Sequence, residues 1–180
     1  MIEAVVDSIR VSLVTQQRVV FLREVSGDRH LPIWIGPFEA EAIAMELQGV
    51  AAKRPLPYDL LKTIIHDLGG QVNRIEVTEL SEDIFYARIV IDLNGRQVPV
   101  DARPSDAIAL GVRAKVPIFV AESVMDRAGV ELAATEDEET AGPEKAEGLP
   151  SPPASDEKLS VFRDFINSLD IDDLGKKGED

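Results

Sequence analysis

The chain has 180 residues, of which 33 are acidic and 19 basic, for a formal charge of −14. This excess of acid disfavours blanket adhesion to nucleic acid, which works through Lys and Arg on phosphates, and to membrane surfaces, which recruit basic amphipathic segments; either partner requires a local exception. The absence of cysteine removes disulfides, thiolate catalysis and Cys-ligated zinc or iron–sulfur centres.

The first 132 residues are expected to form a single compact domain, since domains run to about 100 to 200 residues. Ile9, Val11 and Leu13 alternate with Ser8, Arg10 and Ser12, the period of two expected of a half-buried strand. A second strand is predicted over Val19 to Val25 and a third at Leu31, Ile33 and Ile35, together an antiparallel meander. Gly36-Pro37 ends it, and Phe38, Ala42 and Met45 open a helical stripe that runs to about Gly49. Leu61, Ile64, Ile65 and Leu68 mark a second helix, with Pro57 near its start and Gly69-Gly70 beyond its end.

Strands return at Ile75 and Val77, then over Phe85 to Leu93. Asn94-Gly95 follows, a pair that tolerates positive φ and predicts a tight hairpin into Val98 and Val100. A helix from about Pro104 to Lys115, a strand at Ile118 to Val120 and a final helical turn or two around Ser123 to Ala128 complete the domain. The pattern is α+β, a mixed, largely antiparallel sheet with three to four helices, without the regular alternation of a doubly wound fold.

Residues 133–155 bear the acidic run Glu136-Asp137-Glu138-Glu139, with prolines, glycines and almost no large apolar residue, the composition of a disordered acidic linker. Over 156–170, Leu159, Phe162, Phe165, Ile166 and Leu169 recur at helical spacing behind Ser155 as N-cap, which predicts a short amphipathic helix that needs a docking surface. Residues 171–180 read as a disordered tail. Residues 133–180 hold 14 acidic and 5 basic side chains, so most of the charge lies outside the predicted domain. No run approaches the roughly 18 apolar residues of a membrane span and no signal-peptide pattern opens the chain, so a cytoplasmic protein with no membrane partner is expected.

No Walker loop, Gly-x-Gly-x-x-Gly, Gly-x-Ser-x-Gly or His-Glu-x-x-His occurs. His30 and His66 read as solvated side chains. The densest polar group is Asp101-Ala102-Arg103-Pro104-Ser105-Asp106, at a strand-to-helix junction where backbone N–H groups favour an anion. Arg103 suits bidentate phosphate contact, and Asp101 with Asp106 suits a hard cation such as Mg²⁺. The same residues also make an ordinary helix start, with Pro104 in the first turn, Ser105 or Asp106 as cap and acid, and Arg103 paired to Asp101 or Asp106. Glu39 and Glu41 sit in the first turn of the earlier helix, where carboxylates favour the dipole, with Glu46 further along the face of Glu39. Trp34, Phe85 and Tyr86 alternate as strand residues do and read as core or interface.

Several strings taken together resemble the bifunctional nuclease domain family: Leu31-Pro32-Ile33-Trp34-Ile35-Gly36 with Glu39-Ala40, Arg54-Pro55, Asp59-Leu60-Leu61, Phe85-Tyr86-Ala87, Asp101-Ala102-Arg103-Pro104-Ser105-Asp106-Ala107 and Val116-Pro117-Ile118. The resemblance covers residues 1–132. The C-terminal stretch also looks like the Phe-rich helix that follows an acidic linker in actinobacterial-type members. The likeness implies a bacterial-type α+β domain that self-associates as a homodimer or higher homo-oligomer, and a low-specificity nuclease (DNase and RNase) with DNA and RNA as partners. On that reading Asp101, Asp106 and Glu39 would hold Mg²⁺ or Mn²⁺, Arg103 would stabilise phosphate charge, and Ser105 would complete the catalytic group. Many members carry Thr-His where this chain has Pro57-Tyr58; Tyr58 can donate a hydrogen bond but is a poor base near neutral pH. The alternative is a non-catalytic oligomeric binding or regulatory module, in which Arg103 and Asp106 are a structural ion pair and cap.

Overall fold

A computed structural model describes residues 1–11 and 16–131. Ser12 and Leu13, the linker 133–155, the helix expected over 156–170 and the tail 171–180 lie outside the described residues.

The described chain runs β1 (Ile2–Val11), β2 (Arg18–Glu24), β3 (Arg29–Ile35), α1 (Pro37–Leu47), α2 (Pro57–Asp67), β4 (Gly70–Ser81), β5 (Ile84–Leu93), β6 (Arg96–Ala102), α3 (Pro104–Ala114), β7 (Ile118–Val120), α4 (Glu122–Ala128) and β8 (Val130–Glu131). Its eight strands form one sheet in the order β6-β5-β4-β7-β1-β2-β3-β8. Every adjacent pair is antiparallel except β4 and β7, which run parallel. This is the α+β fold with a mixed, largely antiparallel sheet that the sequence pattern implies. The Asn94-Gly95 hairpin joins β5 to β6 with both residues at positive φ, 55° and 82°. No described helix is long and apolar enough to cross a membrane.

One face of the sheet carries Val20, Leu22, Leu31, Ile33, Ile75, Val77, Ala87 and Val120, and onto it pack Ile43 of α1, Ala107 to Leu110 of α3, and Val124 and Met125 of α4. Helix α3 is central, in contact with α1, α2, β3, β4 and β5. It approaches β4 so closely that a Cβ on Gly111 would stand 2.6 Å from Ile75 Cγ1. Since interiors pack near crystalline density, any larger residue there forces Ile75 or the helix to shift.

The two flanking helices depart from their apolar periodicity. Phe38 opens the stripe expected for α1 but is 81% exposed; Ala40, Ala42 and Ile43 make the buried face. In α2 no residue is fully buried: Ile65 packs against the core, while Leu60, Leu61, Ile64 and Leu68 are exposed. Helix α2 lies on α3 and β4 at the margin of the layer, so one row of its apolar residues finds a partner within the domain and the other does not. On the sheet, Phe85 packs against the core cluster, whereas Trp34 and Tyr86 are partly exposed.

Candidate functional site

The N-termini of α1, α2 and α3 meet around Arg103. Arg103 is the N-cap residue of α3, in extended conformation with Pro104 next and Asp106 in the first turn, and no side chain caps the helix. That backbone turns Arg103 and Asp106 toward each other. Arg103 Nε donates to Asp106 Oδ2 at 2.7 Å and Nη2 donates to Asp106 Oδ1 at 3.1 Å. Nη2 also donates to Glu39 Oε1 at 2.7 Å. Glu39 stands in the first turn of α1, and its carboxylate folds back over Gly36, where a Cβ would collide with it.

Tyr58, in the first turn of α2, completes the group: its hydroxyl donates to Asp106 Oδ1 at 2.8 Å. Both oxygens of Asp106 are thus engaged. Burial pushes the Asp106 carboxyl up, but the hydrogen bonds from Arg103 and Tyr58 outweigh it and leave the group below the usual carboxylate range. Burial, and then the bond to Asp106, push the Tyr58 hydroxyl far above an ordinary phenol. The two carboxylates hold Arg103 charged at any accessible pH.

A second cluster braces the first. Arg113 of α3, only 4% exposed, donates from Nε to Asp59 Oδ1 at 2.9 Å and from Nη1 to Ala109 O at 3.1 Å. Its guanidinium lies 5.6 Å from the centre of the Tyr58 ring. Asp59 also accepts from the Leu56 backbone N–H at 2.8 Å, capping α2. One carboxylate therefore starts α2 and neutralises the buried arginine, and both interactions fix the adjacent Tyr58.

Of the residues singled out from the sequence, Glu39, Arg103 and Asp106 come together. Asp101 makes no hydrogen bond to any of them; it is exposed on β6 opposite Arg88. Ser105 is buried and makes no hydrogen bond to the group. Among the described residues no three carboxylate or imidazole groups gather as a cation site, so Glu39, Asp101 and Asp106 do not form a ready-made Mg²⁺ or Mn²⁺ centre. Glu46 lines a groove with Lys62, His66 and Lys115 rather than joining Glu39 at Arg103. His30 and His66 bond to neighbours in sequence, His30 Nδ1 lying 2.9 Å from Asp28 O and His66 Nδ1 3.3 Å from Asp67 Oδ1.

Tyr58 and the Asp59–Arg113 pair are the members that sequence reasoning left out of the site. The signal for Tyr58 was its place directly before Asp59.

The Arg103 side chain is 68% exposed, and exposed pairs of this kind contribute at most about 1 kcal/mol. Two carboxylates on one solvent-facing guanidinium therefore do little for stability and much for orientation. Nε and Nη2 are taken by the carboxylates and Nη1 makes no hydrogen bond among the described residues, so one NH₂ group of Arg103 is left to donate at the N-terminal end of α3, where an anion is favoured.

The sequence model of the bifunctional nuclease domain matches residues 20–133, a span that contains Glu39, Tyr58, Arg103, Asp106 and Arg113. An uncharacterized protein of Mycobacterium tuberculosis is 39% identical over 172 residues, covering 96% of this chain and 97% of its own. Bifunctional nuclease 1 of Oryza sativa is 27% identical over 117 residues, 63% of this chain and 35% of its own. Bifunctional nuclease 1 of Arabidopsis thaliana is 30% identical over 93 residues, 50% of this chain and 29% of its own. The chain thus spans about a third of the plant proteins and nearly all of the mycobacterial one, and it belongs to the bifunctional nuclease domain family.

Proposed function

We propose that this chain is a low-specificity nuclease acting on DNA and RNA, with Arg103 as the residue that engages the phosphodiester. The observation that carries the reading is the exposed guanidinium at the N-terminal end of α3, held from behind by Glu39 and Asp106. An arginine so held meets a phosphate oxygen through Nη1 with its orientation already fixed, which concentrates charge stabilisation where a transferring phosphoryl group needs it. The name of the family and of its plant members supports the activity; recognition through the backbone phosphate accounts for indifference between DNA and RNA.

Cleavage of single-stranded DNA and RNA by the purified full chain, in Mg²⁺, in Mn²⁺ and in EDTA, tests the proposal. Arg103→Ala is expected to lower cleavage by about tenfold or more. Arg103→Lys restores little, because an ammonium cannot span both carboxylates and the phosphate. Wild-type cleavage by Arg103→Ala overturns the assignment, and the EDTA arm decides whether a divalent cation takes part. Self-association into a homodimer or higher oligomer is part of the same proposal and is read by sedimentation of the same preparation.

One observation favours a second reading, a module that binds nucleic acid without cutting it. Both Asp106 oxygens are occupied by donors, which leaves that carboxylate engaged rather than ready to take a proton from water. Binding that depends on Arg103, with no cleavage in any cation arm, selects this reading.

A further inference from the structure

Helix α2 presents an apolar row with no partner among the described residues. Leu60, Ile64 and Leu68, spaced i, i+4 and i+8, are 53%, 44% and 76% exposed, and Leu61 beside them is 36% exposed. Residues so spaced lie above one another on one helix face. Nothing on that helix is fully buried, so α2 is held in the domain mainly by Ile65, Tyr58, the Asp59–Arg113 pair and the bond from Lys62 to Arg113 O. The other side of the helix lines a groove of about 520 Å³ in which Glu46 and Asp59 stand with Lys62, His66 and Lys115, and Lys62 Nζ donates there to Arg113 O at 2.8 Å; Lys53 and Arg54 precede the helix.

The chain supplies a segment of matching chemistry. Leu159, Phe162, Phe165, Ile166 and Leu169 form one apolar face at helical spacing, and residues 133–180 around them are strongly acidic, 14 acidic side chains against 5 basic. A helix of this length is marginal alone and takes its stability from what it packs on. The intervening residues 132–155 can stretch to roughly 80 Å, several times the radius of gyration of about 14 Å expected of a 131-residue domain, so reach does not limit the contact. The family match stops at residue 133, yet the likeness to the mycobacterial protein covers 96% of the chain and therefore continues through most of the tail. A stretch that travels with the domain, apolar on one face and acidic around it, fits an open apolar row that Lys53 and Arg54 precede in the chain.

We propose that residues 156–170 dock in cis on the Leu60–Ile64–Leu68 face of α2. The docked segment buries the row that the domain leaves open and so pins α2, whose first turn carries Tyr58.

The chain contains no cysteine, so paired cysteines report proximity without background. In the full chain, Ile64→Cys with Phe165→Cys is compared with Gln97→Cys and Phe165→Cys, the second pair placing its partner on an exposed position of β6. Both substituted domain positions are solvent-accessible, so folding is preserved. The Ile64 pair is expected to oxidise about tenfold faster or more, giving an intramolecular product, because docking raises the local concentration of one thiol at the other. Equal rates for the two pairs overturn the proposal. Predominantly disulfide-linked dimers from the Ile64 pair overturn it too, and assign the face to a second copy. Independently, Phe162→Ser with Phe165→Ser in the full chain is expected to speed amide exchange across α2; unchanged exchange there contradicts docking.

Discussion

Tyr58 and Asp106 lie 48 residues apart in sequence and are joined by a hydrogen bond of 2.8 Å, which ties the first turn of α2 to the first turn of α3. The bond adds a third donor contact to a carboxylate already engaged by Arg103. Removing the hydroxyl alone leaves Asp106 with its arginine and leaves the ring stacked near Arg113. Tyr58→Phe is therefore expected to cost about 0.5 to 1.5 kcal/mol, one net hydrogen bond, read as a lower denaturation midpoint at unchanged slope. In Tyr86→Phe, where Tyr58 is the sole remaining tyrosine, the phenol should ionise far above the free amino acid, because its folded value is raised by burial and by Asp106. The corresponding stability is complete below the unfolded value of about 10 and is lost as pH rises toward the folded one. Ionisation at the free value would show that the hydroxyl is not held.

Asp106 sets the acid limb of stability in the opposite sense. Its folded carboxyl is lowered, the penalty of burial being outweighed by Arg103 and Tyr58, so folding favours the ionised form. The contribution is fully present above the unfolded value of about 3.9 and is lost as pH falls through the folded value. Asp106→Asn should therefore be less stable than the wild type at neutral pH, and the two should converge as the acid is titrated. A difference that stays constant with pH would mean that the ionised carboxylate is not what the fold selects.

The buried Arg113 predicts an asymmetry between two changes at Asp59. Asp59→Ala removes both the partner of a 3% exposed guanidinium and the cap on Leu56 N–H. Asp59→Asn keeps an oxygen for the cap and loses the charge together with the oxygen that accepts from Arg113 Nε. Breaking a buried pair costs on the order of 3 kcal/mol, reduced here because Asp59 is partly exposed and screened by water. A cap adds about 1 kcal/mol. Urea unfolding should thus rank wild type above Asp59→Asn and Asp59→Asn above Asp59→Ala; equal effects would deny the cap any role.

Much of this architecture was legible in the chain, for local reasons. The alternation in Phe85 to Leu93 and the Asn94-Gly95 turn specify a hairpin because period and turn chemistry act over a few residues, and β5 and β6 pair as that pattern implies. Arg103 and Asp106 were visible because they are three residues apart at a helix start. The parallel pairing of β4 with β7 leaves no such mark, since it depends on how α3 crosses the sheet. The apolar residues of α2 read as a core face, yet periodicity says only that a face is apolar. The domain covers the row with Ile65 and leaves Leu60, Ile64 and Leu68 open. Tyr58 escaped the site for the same reason: its partner lies across two helices, and no spacing in sequence encodes that distance.

Close approach of α3 to β4 yields a sharper packing test. Gly111→Ala would put a methyl 2.6 Å from Ile75 Cγ1, with Ile75 fully buried, and overpacking of this kind costs about 1 to 3 kcal/mol. Removing the obstructing atoms with Ile75→Ala makes room for that methyl. The double variant is thus expected to be more stable than the sum of the single losses predicts, a coupling that denaturant titration of all four proteins measures. Strict additivity would show that the helix shifts away instead of pressing on Ile75.

Gly36 separates orientation of Arg103 from its charge. Its backbone is extended, at φ −71° and ψ 161°, a conformation alanine adopts freely, so Gly36→Ala should change stability by no more than about 0.5 kcal/mol. The new methyl nevertheless occupies the space of the Glu39 carboxylate, the flexible end of a side chain that can swing away. Once it does, Arg103 keeps its bonds to Asp106 and loses the one from Nη2 to Glu39. If Glu39 aims the guanidinium at phosphate, Gly36→Ala and Glu39→Gln should weaken single-stranded DNA binding to a similar degree. The salt dependence should be unchanged, because the number of cations meeting phosphate is the same. Arg103→Ala, by contrast, should reduce the salt slope by about one unit. Wild-type affinity in Gly36→Ala, alongside a loss in Glu39→Gln, would mean that the carboxylate finds Arg103 by another path; wild-type affinity in both would remove Glu39 from the site.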